Sequence, residues 1–184
     1  MAKETGKKAR EENVGWEKSA VLYLHDLLIM LVTIMVLFLL VFRVIIVSGS
    51  SMYSTLIDGD YLLLISNLFY NEPQYGDIIV ASKESFDDGK PIIKRVIATE
   101  GQTVSIDYNS NLVCVEDVAL EEPYNNPEED PMKPTDEQSC KIYTVPEGCV
   151  FVMGDNRNHS ADSRSAYYGM ISEDHIMGKV KAVF

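Results

Sequence analysis

The sequence predicts a mainly β protein, an antiparallel barrel or sandwich carried behind a single N-terminal transmembrane helix. Three observations lead there. Residues 21–47 form an almost wholly apolar run, uncharged between Asp26 and Arg43. Beyond it come stretches of four to eight residues rich in Val, Ile and Tyr, the composition of strands. Asp58-Gly59-Asp60, Tyr75-Gly76-Asp77, Asp88-Gly89-Lys90, Glu100-Gly101 and Glu147-Gly148 punctuate these stretches. Such regularly recurring turn signals favour an antiparallel barrel or sandwich.

Residues 1–20 form a polar tail, and the lack of apolar period over 1–18 predicts disorder. As a helix, residues 21–47 would extend ~40 Å, enough for a hydrocarbon core of ~30 Å. Arg43 lies near one end, where its stem can snorkel to the headgroups. Two other readings stand beside the anchor. A buried core helix would be shorter and less uniformly apolar. A cleaved leader would have an apolar region of only ~7–15 residues, although Val47-Ser48-Gly49 offers small residues suited to a cleavage site. Five Lys/Arg precede the run, and only Lys83 and Lys90 follow between Ser48 and Ile93. Basic flanks stay in the cytoplasm. The expected protein is therefore single-pass in the cell membrane, with its tail inside and residues 48–184 outside.

Strands are expected at 61–65, 77–81, 92–99, 103–106, 112–115, 141–145, 150–153 and 179–184. Residues 121–138 hold four prolines and seven acids, a composition that predicts an exposed loop. The formal net charge is −12, and residues 48–184 carry ten Lys/Arg against twenty-three Asp/Glu. No basic excess exists to neutralise phosphates, which excludes a nucleic-acid binder. Cys114, Cys140 and Cys149 are too few for a disulfide framework, and one bridge, Cys114 to Cys140, is the pairing expected if any forms. No CxxC or His/Cys cluster suggests a metal site.

The chemistry concentrates in three segments. Directly after the apolar run comes Ser48-Gly49-Ser50-Ser51-Met52-Tyr53-Ser54-Thr55-Leu56. It offers three candidate nucleophiles (Ser48, Ser50, Ser51) around a glycine, which lets a substrate approach backbone N–H groups closely. A serine hydroxyl needs a base. His25, His159 and His175 stand in no recognisable triad arrangement. A buried lysine can serve instead, because desolvation disfavours the ammonium. In Ile92-Ile93-Lys94-Arg95-Val96-Ile97-Ala98, strand alternation puts Lys94 on a face with Ile92, Val96 and Ala98. A lysine on that apolar face is either a functional base or an edge lysine snorkelling to solvent. Lys179 and Lys181 alternate with Val180 and Ala182, as on a solvated strand face. The third segment is Gly154-Asp155-Asn156-Arg157-Asn158-His159-Ser160-Ala161-Asp162-Ser163-Arg164. Its alternating Asp and Arg suit a cross-braced ion-pair network, with a solvated polar loop as the plainer alternative. Asn158-His159-Ser160 also matches a glycosylation sequon.

Together these segments resemble the type I signal peptidases, membrane-anchored serine–lysine proteases, in their Gram-positive-type form. The nucleophile box of that family, Gly-x-Ser-Met-x-Pro-Thr-Leu, reads here from Gly49 to Leu56 with Ser54 in the proline place. Its base box, Lys-Arg-Val with a later Gly, reads Lys94-Arg95-Val96 and Gly101, with Gln102 where an Asp is frequent. The Gly-Asp-Asn-Arg…Ser-x-Asp-Ser-Arg box is complete from Gly154 to Arg164, and Gly76-Asp77-Ile78 matches a strand start. After Arg164 the spacing to Gly169 is about two residues longer than usual in that family.

The resemblance implies a serine endopeptidase that removes N-terminal signal peptides from exported preproteins through an acyl-enzyme. It implies Ser51 as nucleophile and Lys94 as general base. Ser160 would orient Lys94, Asp155, Arg157, Asp162 and Arg164 would brace the site, and Arg95 would support it. Met52 would line its apolar surroundings. Gly49 stands where some members place a serine oxyanion donor. The Ser51 N–H would then be one donor and Ser48 or Ser50 the second. It implies no cofactor or metal, a monomer, and as partners secretory preproteins and the lipid bilayer. Two other readings are a self-cleaving repressor-type serine–lysine peptidase and a non-catalytic β domain that binds through its acidic surface.

Overall fold

The computed structural model describes residues 2–70, 72–83, 89–125, 130–134 and 138–184, with side chains from residue 16 onward. The chain divides into two compact units, residues 1–41 and 42–184.

The first unit is one helix, α1 (Ala2–Val41). The polar tail, expected to be disordered, is its first half. Ala2, Lys3, Lys7, Lys8, Ala9, Arg10 and Glu11 are strong helix formers, so local propensity accounts for the difference. Residues 18–41 are long and apolar enough to cross a membrane, and their large apolar side chains are exposed up to Leu40. A helix of this composition would leave the full apolar surface in water unless lipid or protein covered it.

The helix stops at Val41, six residues before the end of the apolar run. Phe42–Ile46 forms the strand β1 and pairs antiparallel with β2 (Tyr61–Ser66), Phe42 opposite Ile65 and Ile46 opposite Tyr61. Val44, Ile45 and Ile46 are β-branched, stiff at χ1 and better suited to a pleated strand than to a helix. The expected helix over 21–47 is thus shorter at its C-terminal end.

All eight expected strands form, with ends shifted by one to three residues. β3 is Ile78–Ala81, β4 Ile92–Ala98, β5 Thr103–Asp107, β6 Leu112–Val115, β8 Cys140–Thr144, β9 Cys149–Met153 and β11 Ile176–Val183. Two two-residue strands, β7 (Val118–Ala119) and β10 (Ile171–Ser172), join them. A seven-stranded sheet has the order β1-β2-β11-β3-β4-β9-β10, and a four-stranded sheet the order β7-β6-β5-β8. Every pairing is antiparallel.

Three apolar clusters hold these layers. Ile106, Val113 and Val115 of the small sheet pack with Ile97, Phe151 and Met153 of the large one. Ile79, Val96, Val152 and Ile176 fill a second cluster. The third matters most for function: Met52 and Leu56, from the serine-rich loop, pack on Leu62, Leu64, Val80 and Ile93. That loop is therefore clamped to the sheet by two fully buried side chains. Burying each contributes roughly 1.5–3 kcal/mol.

Three expectations need correction. Cys114 and Cys140 do not bridge, and all three cysteines are free thiols. They sit on β6 and β8, which flank β5 from opposite sides, so two strand spacings of ~4.8 Å separate them, beyond disulfide reach. Residues 121–138 are not simply an exposed loop: Met132 is buried and Glu122 and Tyr124 are half-buried, while 126–129 and 135–137 lie outside the described residues. Lys179 is not freely solvated either, but pairs with the buried Asp77.

Candidate active site

Two glycine-assisted loops and one strand build the site. Val47 is fixed by its N–H to the Asp60 carbonyl at 2.8 Å and by its carbonyl to Gly59 N–H at 3.0 Å. Gly49 follows with φ +95°, backbone that L side chains avoid. Its N–H donates to Asp58 Oδ1 at 2.7 Å. The chain then turns through Ser50 and Ser51, with Tyr53 N–H returning to the Ser50 carbonyl at 3.1 Å. The Tyr53–Ser54 peptide is cis.

The hydroxyl of Ser51, alone of the three serines, meets a candidate base. Lys94 Nζ lies 2.7 Å from Ser51 Oγ and donates to the Ile93 carbonyl at 3.0 Å. Lys94 is 5% exposed, so it does not snorkel. Burial pushes its pKa down to about 8, opposed by Asp162 and Asp155 and reinforced by Arg164. Lys94 stands opposite Ile79 on β3, in the apolar row that includes Ile92 and Val96. The expected alternation ends at Val96. A register irregularity between Val96 and Ala98 opposite Val152 and Phe151 moves Ala98 into the cluster with Ile97.

The segment 154–164 braces this pair from behind. Asn156 N–H donates to the Ser51 carbonyl at 3.0 Å and its side-chain amide to the Ser50 carbonyl at 3.0 Å. The ion pairs differ from a ladder internal to the segment. Asp162 and Arg164 do pair, at 2.8 and 2.9 Å, and Gly154 N–H donates to the same carboxylate at 3.0 Å. These bonds hold Asp162 below the ordinary carboxylate range despite its burial. Asp155 instead takes Arg95 of β4, Nε to Oδ1 at 2.8 Å and Nη2 to Oδ2 at 2.6 Å. Arg157 takes Glu122, at 2.8 and 2.6 Å. Sequence spacing favoured neighbours; the fold offered a partner from β4 and one from the loop after β7, each with two-pronged geometry.

Ser160 occupies the expected neighbourhood without the expected bond. Its Oγ is buried and does not reach Lys94 or any other group among the described residues at full hydrogen-bond geometry, but it sits beside the Asp162 carboxylate and helps to hold that group's pKa down. Its position is clear from Gly154: a Cβ there would collide with Ser160 Oγ and with the Ser51 carbonyl oxygen. Gly154 is thus the spacer that lets the Ser160 hydroxyl and the nucleophile backbone approach from two sides.

A cavity of about 330 Å³ opens at the dyad, lined by Ile45, Val47, Ser48, Gly49, Ser51, Met52, Ile93 and Lys94 among others. It is mostly apolar, and Ser48 lines it whereas Ser50 does not. Among the described residues no three His, Cys, Asp or Glu side chains gather as a metal site.

Sequence reasoning did not find Glu122, Tyr124 or Thr55. Thr55 Oγ1 donates to Asp155 Oδ2 at 2.5 Å, and the Arg95 guanidinium stacks 4.0 Å above the Tyr124 ring. Thr55 lay in a quoted motif and could have been weighed. Glu122 and Tyr124 gave no signal within an acid-rich segment.

An antiparallel β domain in which a buried lysine meets a loop serine is compatible with peptidase chemistry, and the class the family match gives is the peptidases. The chain belongs to one family within it, signal peptidase, peptidase S26, whose sequence model matches residues 21–184. It is 37% identical over 142 residues to signal peptidase I T of Bacillus subtilis, covering 75% of this chain and 71% of that one. Identity to signal peptidase I of Bacillus amyloliquefaciens is 31% over 179 residues, 95% of this chain and 88% of the other. A probable signal peptidase I-1 of Synechocystis is 36% identical over 139 residues, 72% of this chain and 65% of its own length. A solved signal peptidase I from Enterococcus faecalis superposes with TM-score 0.48 at 29% identity, covering 60% of this chain and 98% of that one.

Proposed function

We propose that this chain is a membrane-bound serine endopeptidase that cuts signal peptides from exported preproteins, with Ser51 as nucleophile and Lys94 as general base. The observation that supports it best is the 2.7 Å contact between Lys94 Nζ and Ser51 Oγ inside an apolar setting. Burial brings the amine to about 8, so a working fraction is neutral near physiological pH.

Neutral Lys94 takes the Ser51 proton as Oγ bonds to the scissile carbonyl carbon. The C–N bond then breaks, and the Lys94 ammonium returns its proton to the leaving amine. Water, deprotonated by Lys94, attacks the acyl carbon; the C–Oγ ester bond then breaks, Oγ takes the proton back from the Lys94 ammonium, and the carboxylate product leaves. The Gly49 N–H is already held by Asp58, so the Ser51 N–H is the backbone donor to the oxyanion. Ser48 is the better second donor than Ser50, because it lines the cavity. The cavity beside the dyad has room for small apolar side chains before the cut and supports a preference for residues such as alanine. All of these groups belong to the chain itself.

Residues 1–20 would lie in the cytoplasm and 48–184 outside. Ser51 follows Val41, the end of α1, by ten residues. The extended chain thus limits its distance from the helix end to ~35 Å. Full-length protein in detergent, incubated with a preprotein bearing alanine before the cut, should yield two products meeting at one site. Ser51→Ala and Lys94→Ala should each abolish the cut; full activity in Lys94→Ala would sink the dyad.

A further inference from the structure

None of the motifs that carried the resemblance includes residues 121–138, yet residues 121–125 and 130–134 within that segment are strapped onto the bracing network at several points. Tyr75 Oη donates to the Glu121 carbonyl at 3.1 Å. Glu122 holds both Nη atoms of Arg157, whose side chain is 1% exposed. Tyr124 Oη donates to Glu122 at 3.0 Å, and its ring lies under Arg95 at 4.0 Å and beside Arg157 at 5.9 Å. Farther on, Asn158 donates to Asp130 at 2.6 Å, and Met132 is buried with its sulfur 3.7 Å from Arg157 Nη1.

Both arginines lead directly to the nucleophile. Arg157 Nε donates to the Gly154 carbonyl at 3.1 Å, and Gly154 packs against the Ser51 carbonyl. Arg95 holds Asp155, which receives the Thr55 hydroxyl four residues after Ser51. A buried guanidinium without its carboxylate would relax toward water and take these contacts with it.

We infer that Glu122 is a positioning residue for the Ser51–Lys94 reaction: by pairing with Arg157 it fixes Gly154 and, through it, the nucleophile. The acid-rich segment is then part of the catalytic apparatus. This rests on the proposed peptidase reading, and the test separates the two.

Full-length wild type, Glu122→Gln, Arg157→Gln, the double variant, Tyr75→Phe and Ser51→Ala are assayed in detergent on one preprotein, with rates expressed per folded enzyme. Glu122→Gln should lower kcat at least about ten-fold with KM within about two-fold, the pattern of a misplaced reacting group. The double variant should be no slower than Arg157→Gln alone, because the two side chains act as one unit. Tyr75→Phe removes a hydroxyl that meets the Glu121 carbonyl and Tyr124 at an exposed ring, keeps the fold even if Glu122→Gln does not, and should lower kcat by about two- to three-fold. Wild-type kcat in both Glu122→Gln and Tyr75→Phe, with Ser51→Ala inactive, would overturn the inference and leave the peptidase reading standing. Cleavage by Ser51→Ala would instead overturn that reading.

Discussion

Asp155 grips Arg95 through both carboxylate oxygens, at 2.8 and 2.6 Å, with its own side chain fully buried. The pair ties β4, which carries Lys94, to the segment that carries Ser160. The Asp155 side chain has no exposed surface and Arg95 has little, so the two are best lost together or kept together.

Asp155→Asn should therefore destabilise the β domain by about 3–5 kcal/mol, the cost of stranding a buried charge. Thermal unfolding of the variant measures it. Thr55→Val removes a neutral donor to the same carboxylate and should cost less, on the order of 1–2 kcal/mol.

Gly154→Ala tests the close approach of two backbones. The added methyl meets Ser160 Oγ and the Ser51 carbonyl, and backbone yields less readily than a side-chain tip. The variant should fold with about 1–3 kcal/mol less stability and lose at least about ten-fold in kcat as Ser51 shifts. Parallel melting and turnover assays check both.

Ser160→Ala separates stability from catalysis. The hydroxyl is buried beside Asp162 without a bond of full geometry, so removing it should change stability by less than about 1 kcal/mol. If it orients Lys94 during turnover, kcat should still fall by about ten-fold or more. A loss of stability equal to that of a satisfied buried hydroxyl would contradict the geometry.

Lys94 should weaken the fold that it serves. Its folded pKa, about 8, lies below the ordinary value of 10.5. The unfolded chain therefore binds its proton more tightly, and stability rises as pH climbs from about 8 to about 10.5. Lys94→Met should be more stable than wild type at neutral pH by about 3 kcal/mol, and the gap should close above the upper end of that window. Unfolding by denaturant at several pH values reads this directly.

The large-scale fold was legible because its signals were local and repeated. Val/Ile/Tyr runs between glycine turns marked eight strands. β1 was hidden because Phe42–Ile46 continues the apolarity of the helix before it, and only its β-branched residues distinguish it. β7 and β10, two residues each, are too short to carry a pattern. At the site, Ser51, Lys94 and the segment 154–164 stood out through residue type and spacing. The partners of Arg157 and Asp155 did not. Glu122 lies 35 positions from Arg157, and Arg95 lies 60 from Asp155. Only the strand order brings such pairs together, and an acid-rich loop gives no sign of which acid will be buried. Gly154 reads as one motif glycine among others until its neighbours are in place.

The dyad itself is tested most directly by the pH dependence of Ser51 acylation. Full-length protein is exposed to an acylating penem-type inhibitor from neutral to strongly alkaline pH, and the mass added to Ser51 is followed in time. The Ser51–Lys94 account predicts an acylation rate that rises with pH and is half-maximal near the lowered lysine value of about 8, with no acyl adduct in Lys94→Met. A rate independent of pH through that range, or acylation of Ser51 undiminished in Lys94→Met, would contradict it.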